Sequence, residues 1–133
     1  MKLTSSQQTE KAFYDAFQQR DIKLMTSVWE DSDQICCVHP GAQRLFGFDA
    51  IINSWEQIFA VKSDMVLTIS EPIYVPQESS TIHYVQENIS VQDEYMGVIC
   101  ATNIYRETGI GWKIILHHAS ALMAEQSAPK QFH

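Results

Sequence analysis

Four segments in the second half of the chain dominate what it can fold into. MVLTISEPIYV, TIHYVQENISV, EYMGVICATNIYRE and GWKIILHHASALM follow one another from Met65 and are crowded with β-branched and aromatic residues. Segments of that composition read as strands. The stretches between them, PQESS, QDE and ETGIG, are short turn signals, so the later strands become hairpin neighbours in one antiparallel meander. Such a sheet must have one face covered, and the first half of the chain supplies the cover.

Residues 6–19, SQQTEKAFYDAFQQ, put Ala12, Phe13, Ala16 and Phe17 on one stripe of a helix. Asp21 then stands as N-cap of a second, short helix, IKLMTSVW, whose Leu24, Met25, Val28 and Trp29 share a face. A third helix runs from about Asp49, its cap, to Phe59, with Ile51, Ile52, Trp55, Ile58 and Phe59 apolar. Between the second and third lies a strand, Gln34 to His39. It is stopped by Pro40, which cannot donate to a ladder, and by Gly41, which tolerates a tight turn; the loop AQRLFG follows. The expected fold class is therefore α+β, with three N-terminal helices packed on a strongly curved antiparallel sheet. A sheet so bent and covered forms a cone with an open end, a natural place for a small-molecule cavity.

With 133 residues, 45% of them hydrophobic, the chain can bury a sizeable core as a single domain over residues 1–133 without disulfides or structural metal. Residues 125–133, EQSAPKQFH, have little to bury and read as a flexible tail. The formal charge is −7, from 16 acidic against 9 basic residues with no basic block, so neither nucleic acid nor an anionic membrane is an expected partner. The N-terminus has no continuous apolar segment after its early lysine, which points to a soluble, cytoplasmic protein. Three cysteines, two of them adjacent, make no disulfide framework and read as reduced thiols.

The order helix, short helix after RD, strand ending VHPG, helix FGFDAIINSWEQIF and meander ending GWKIILHHAS resembles the nuclear transport factor 2-like superfamily. Within it, the chain is most similar to the SnoaL-like or ketosteroid-isomerase-like group. The likeness covers roughly residues 7–123, and its most specific part is VHPG followed by FGFDAIINSW. It implies a cone-shaped α+β barrel, a homodimer formed through the sheet, and a pocket between the helices and the concave face. It implies no single chemistry, because such folds host isomerases, hydrolases, cyclases and plain scaffolds.

In ketosteroid isomerases the general base is an aspartate just before a proline at the end of the first strand, and that place resembles His39 before Pro40. The tyrosine that donates to the substrate oxyanion stands eight residues before the aspartate that here is Asp21, which lands on Phe13, with Tyr14 one residue further. The second donor, a protonated aspartic acid on the penultimate strand, falls near Ala101; a shift of two positions reaches Asn103. Each such donor contributes about 3 kcal/mol of transition-state stabilisation, so steroid isomerisation by that mechanism is not expected here.

A neutral imidazole at position 39 suits proton transfer near pH 7, as base or as hydrogen-bond anchor; the bland alternative is a strand-end histidine bonded to backbone. On the last strand, strict alternation groups Trp112, Ile114, Leu116, His118 and Ser120, making His118 the inward imidazole, either in the pocket or in a dimer interface. Asn103 is a polar group among Ile99, Ala101 and Tyr105, served by a ligand or by the sheet itself. Glu87 alternates with His83, Val85 and Ile89, and either face of that strand can be the concave one; buried beside a histidine it would be half of an acid/base pair, but it is read as a solvated sheet position. Trp29, Trp55, Phe46 and Phe59 fit a core, with Trp29, Trp55 and Phe59 also candidate pocket walls. Neither HxxxH nor CxxC spacing is present, so no metal and no cofactor are expected.

These residues together describe a small-molecule-binding protein. The chemistry they suit is a cofactor-independent isomerase, cyclase or lyase acting on an apolar, oxygen-bearing substrate by histidine-mediated proton transfer. A non-catalytic dimerisation or scaffold module of the same fold is the alternative.

Overall fold

The computed structural model describes residues 2–122. The chain forms α1 (Ser6–Gln19), α2 (Ile22–Val28), β1 (Cys36–Val38), β2 (Leu45–Phe46), α3 (Phe48–Ala60), β3 (Met65–Pro76), β4 (Ser80–Val91), β5 (Glu94–Thr108) and β6 (Gly111–Ala119). The stretch read as a tail, 125–133, lies outside the described residues.

Local chemistry sets the helix ends. The side chain of Ser5 accepts from the Gln8 amide to start α1, and Arg20, in the left-handed region at φ 59°, closes it by donating its N–H back to Ala16 and Phe17. Asp21 caps α2 by accepting from the Leu24 amide at 3.0 Å. The start of α3 departs from the sequence reading. Gly47 occupies the cap at φ 91° without a side-chain bond, and Asp49 sits in the first turn, where its charge still complements the helix dipole.

The strand order is β2-β1-β6-β5-β4-β3. β1 runs parallel to β6, and the other neighbours are antiparallel, so the sheet is mixed rather than purely antiparallel. It is also not closed into the expected barrel, because β2 and β3 end the strand order at opposite edges. Phe46, on the short edge strand β2 inside the segment expected as a loop, is exposed rather than core and lies under the Arg44 guanidinium.

Curvature comes from three register shifts, between Ser70 and Ile73, between Ile89 and Ser90, and between Ile104 and Tyr105. Each inserts residues on one strand only and bends it. The third shift redirects β6. Ile104 pairs Leu116 while Tyr105 pairs Ile114, which leaves Ile115 as the extra residue and breaks the alternation. His117 consequently turns inward at 1% exposure, and His118 stands on the exposed face, the reverse of the strict period-2 reading. The covered face carries Val85, Glu87, Ile89, Ala101, Asn103, Tyr105, Ile114 and His117 beneath α1 and α3.

The N-terminal segment seals one end. Leu3 is buried, and its carbonyl accepts from the Trp112 amide at 2.8 Å. Gly111 makes this approach possible: its φ is +116°, and a Cβ there would lie 2.9 Å from the Leu3 carbonyl oxygen and 3.2 Å from its nitrogen. Both neighbours are backbone, so neither can swing aside. Gly111→Ala is therefore expected to lose about 2 kcal/mol or more in urea unfolding; a loss within about 0.5 kcal/mol would show that the N-terminal segment does not hold this seat.

Candidate functional site

Between α1, α3 and the concave sheet face lies a cavity of about 490 Å³. Phe17, Ile58, Val61, Met65, Ile89 and Ile99 give it apolar walls, and Pro40, Arg20 and Leu122 also face it. Its polar groups are Arg20, His39, Ser63, Glu87 and His117. Burial orders these groups by depth: Glu87 and His117 are each 1% exposed, whereas Val61 is 66% exposed at the rim.

His39 reaches the cavity because Pro40 ends pairing just after β1. The parallel register sets Cys37 beside His117, and His39 is the next inward position beyond Cys37. The His39 ring stands edge-on to Trp55 with centroids 4.7 Å apart, and Nε2 lies 2.9 Å from Ser54 Oγ. Burial lowers its pKa below the ordinary imidazole range, so it is neutral at pH 7. His117 lies against the same Trp55 at 6.1 Å and against Phe13 at 5.0 Å. Its pKa is pushed down to about 3, first by burial and then by the neighbouring His39 and His118 imidazoles. Cys37 Sγ is 3.7 Å from His39 Nε2, but burial pushes that thiol above its ordinary range, which makes it a poor nucleophile.

Glu87 is buried, not solvated, because the helix-facing side of β4 carries His83, Val85, Glu87 and Ile89 together. The Tyr14 hydroxyl donates to its Oε2 at 2.7 Å. Burial raises its pKa to about 7, with the Tyr14 bond pulling downward and the nearby Glu10 pushing upward. Tyr14 itself is held well above the usual phenol range by burial and by Glu87.

Behind the cavity runs a continuous hydrogen-bonded network. Asn103 Nδ2 donates to Tyr14 Oη at 2.9 Å and to Glu10 Oε2 at 3.4 Å, and Asn103 Oδ1 lies 2.6 Å from His117 Nδ1. Tyr105 donates to Glu10 Oε2 at 3.0 Å. His83 Nε2 is 2.9 Å from Ser6 Oγ; its Nδ1 lies 3.0 Å from Glu10 Oε2 but without hydrogen-bond geometry.

Of the residues singled out from sequence, His39 lines the cavity. Phe13, Trp55 and Phe59 stand behind its walls in the core, with Phe59 partly buried under the Arg20 guanidinium. Tyr14 borders a groove between α1 and β3, and Trp29 borders a separate shallow one, both apart from the cavity. Asn103 is fully buried and reaches the cavity through His117 and, by way of Tyr14, through Glu87. His118 points away from it, for the reason given by the β6 bulge. Glu87, His117, Arg20 and Glu10 were missed. The signal for Glu10 and Tyr14 was present: they are four residues apart on α1, beside the Phe13 and Phe17 stripe.

The chain belongs to the SnoaL-like domain family, whose model matches residues 7–125, within the nuclear transport factor 2-like superfamily. It is similar to a solved Thiobacillus denitrificans protein assigned as a calcium/calmodulin-dependent protein kinase type II association domain. Identity there is 32% over 92% of this chain and 99% of that one, with a TM-score of 0.86. A Streptomyces avermitilis protein assigned as a dehydratase of the NTF2-like family is 26% identical, over 87% of this chain and 92% of its own, with a TM-score of 0.76. The F-box protein SKIP8 of Arabidopsis thaliana is 22% identical over 116 residues, 85% of this chain; the chain spans about half of that relative, 48% of its length. Among the described residues no helix is long and apolar enough to cross a membrane.

The state of Glu87 is directly measurable. Its folded pKa of about 7 lies above the ordinary 4.5, so its contribution to stability is full below pH 4.5 and is lost as pH rises through about 7. Glu87→Gln removes that loss. Relative to the parent, the variant is expected to gain about 2–3 kcal/mol on going from pH 4.5 to pH 8, the histidine contributions cancelling in the difference. An infrared carboxylic-acid band that fades near pH 7 and is absent from the variant is the second expected sign; a flat stability difference contradicts the assignment.

Proposed function

We propose that this protein binds a small, largely apolar, oxygen-bearing molecule in the cavity and moves a proton on it without a cofactor, as an isomerase or a lyase of the dehydratase kind. One observation carries the reading: two neutral imidazoles and a carboxyl group that titrates near pH 7 face a single open apolar cavity. An acid/base catalyst works best with a pKa near the ambient pH, and these environments set neutral bases and an available acid in one enclosure. In this reading His39 takes a proton from carbon beside a carbonyl group, and Glu87 supplies one to the oxygen that leaves or that becomes an enol. The likeness to a protein assigned as a dehydratase supports the same class.

Association is the second reading, favoured by the likeness to a protein assigned as a kinase association domain. It places a homodimer contact on the outer sheet face, where Tyr84 is 43% exposed beside the partly buried Ile82 and Ile104. Sedimentation equilibrium at micromolar concentration tests it: a monomer removes the reading, and a dimer is compatible with a ligand in the cavity.

Exchange of carbon-bound hydrogen for deuterium in D₂O tests the catalytic reading without a known substrate. Apolar ketones and β-hydroxy carbonyl compounds are incubated with the protein and read by mass spectrometry. Exchange beside the carbonyl is expected for at least one, and His39→Ala is expected to slow it about 100-fold or more while leaving the melting temperature within a few degrees. Equal rates with His39→Ala, or no exchange by the parent protein, would remove His39 as base.

A further inference from the structure

We propose that the cavity selects ligands that carry, besides any carbonyl group met by Glu87, a hydrogen-bond donor, an alcohol or phenol hydroxyl, received by a bare Nε2 of His117, and that Asn103 is the positioning residue that fixes this polarity. The inference rests on the ligand-binding reading and names the chemical class it takes.

The polarity is set from the far end of the network. Glu10 Oε2 accepts from Tyr105 at 3.0 Å, so the Asn103 atom 3.4 Å away from that oxygen has to be the amide nitrogen, not the amide oxygen. That orientation turns Asn103 Oδ1 to His117, where Nδ1 at 2.6 Å must carry the proton. A neutral imidazole has one N–H, so Nε2 of His117 holds a lone pair. Among the described residues Nε2 has no partner, and His117 lines the cavity.

The same amide directs the other wall. Its Nδ2 donates to Tyr14 Oη at 2.9 Å, so the one Tyr14 proton goes to Glu87 Oε2 at 2.7 Å. When Glu87 holds its acid proton, that proton therefore lies on Oε1. At His39 the logic repeats on a smaller scale. Ser54 Oγ donates to the Ile51 carbonyl at 2.6 Å, so it accepts from His39 Nε2 at 2.9 Å and leaves Nδ1 bare. On the His117 side the cavity meets a lone pair and no donor. A ketone oxygen placed against His117 Nε2 meets repulsion and finds its donor at Glu87 instead, whereas a hydroxyl finds an acceptor at His117, with Ile58, Ile89 and Ile99 around an apolar body. An oxyanion placed at His117 would need the opposite polarity, so that role falls to Glu87.

Two measurements test this. In ¹⁵N-labelled protein at pH 7, the His117 ring is expected as the Nδ1–H tautomer, and in Asn103→Ala, if it folds, the two tautomers mix. An Nε2–H tautomer in the parent protein overturns the proposal. By calorimetry, 2-naphthol is expected to bind at least fivefold tighter than 2-methoxynaphthalene, which keeps the ring and oxygen but lacks the proton. His117→Phe should lower naphthol affinity to that of the ether and leave the ether unchanged. Equal affinities in the parent protein, or a naphthol preference that survives His117→Phe, overturn the donor rule while the cavity reading stands. Binding of neither compound overturns both.

Discussion

The hydrogen bonds of one buried amide hold the interior in a single arrangement. Asn103 is fully buried, and an amide so placed needs protein partners for its donors and acceptor. It finds them on two other elements, Glu10 and Tyr14 of α1 and His117 of β6, while Asn103 itself belongs to β5. The helix stripe and the sheet cannot slide past one another without leaving at least one of these groups unpaired, a cost of about 1–3 kcal/mol each. Apolar contacts between Phe13, Trp29 and Trp55 provide the bulk of the burial, but they tolerate small shifts; the amide does not. Packing and site chemistry therefore meet in one residue. The arrangement that aligns α1 on the sheet also orients the His117 ring and the Tyr14 hydroxyl.

Much of the frame was legible in the sequence. Periodicity alone marked the three helices and four long strands, and capping chemistry put the start of α2 at Asp21. His39 was visible because a proline and glycine end its strand at a defined point. What alternation could not reveal was the bulge at Ile115, which depends on how β5 and β6 pair and exchanges His117 for His118. Glu87 failed for a different reason. A carboxylate on a strand is usually solvated, and its burial becomes affordable only once Tyr14 arrives from a helix 73 residues away in sequence. Barrel closure was likewise a long-range property: β2 and β3 each lack the partner that would join them.

Electrostatics and shape in the cavity point in one direction. Desolvation makes both imidazoles neutral at pH 7 and holds the Glu87 carboxyl near its midpoint there. The same fold serves association elsewhere, and the outer sheet face and the cavity are on opposite sides of the sheet. Assembly and ligand chemistry need not compete for the same surface.

The most direct measurement is a high-resolution crystal structure of the protein as purified at pH 7, read at the cavity. The account predicts an open space of about 490 Å³ with His39, His117 and Glu87 facing it and Asn103 joining His117 to Tyr14. A cavity filled by the side chains of Phe17 and Met65, with the His117 ring turned onto another partner, would contradict it.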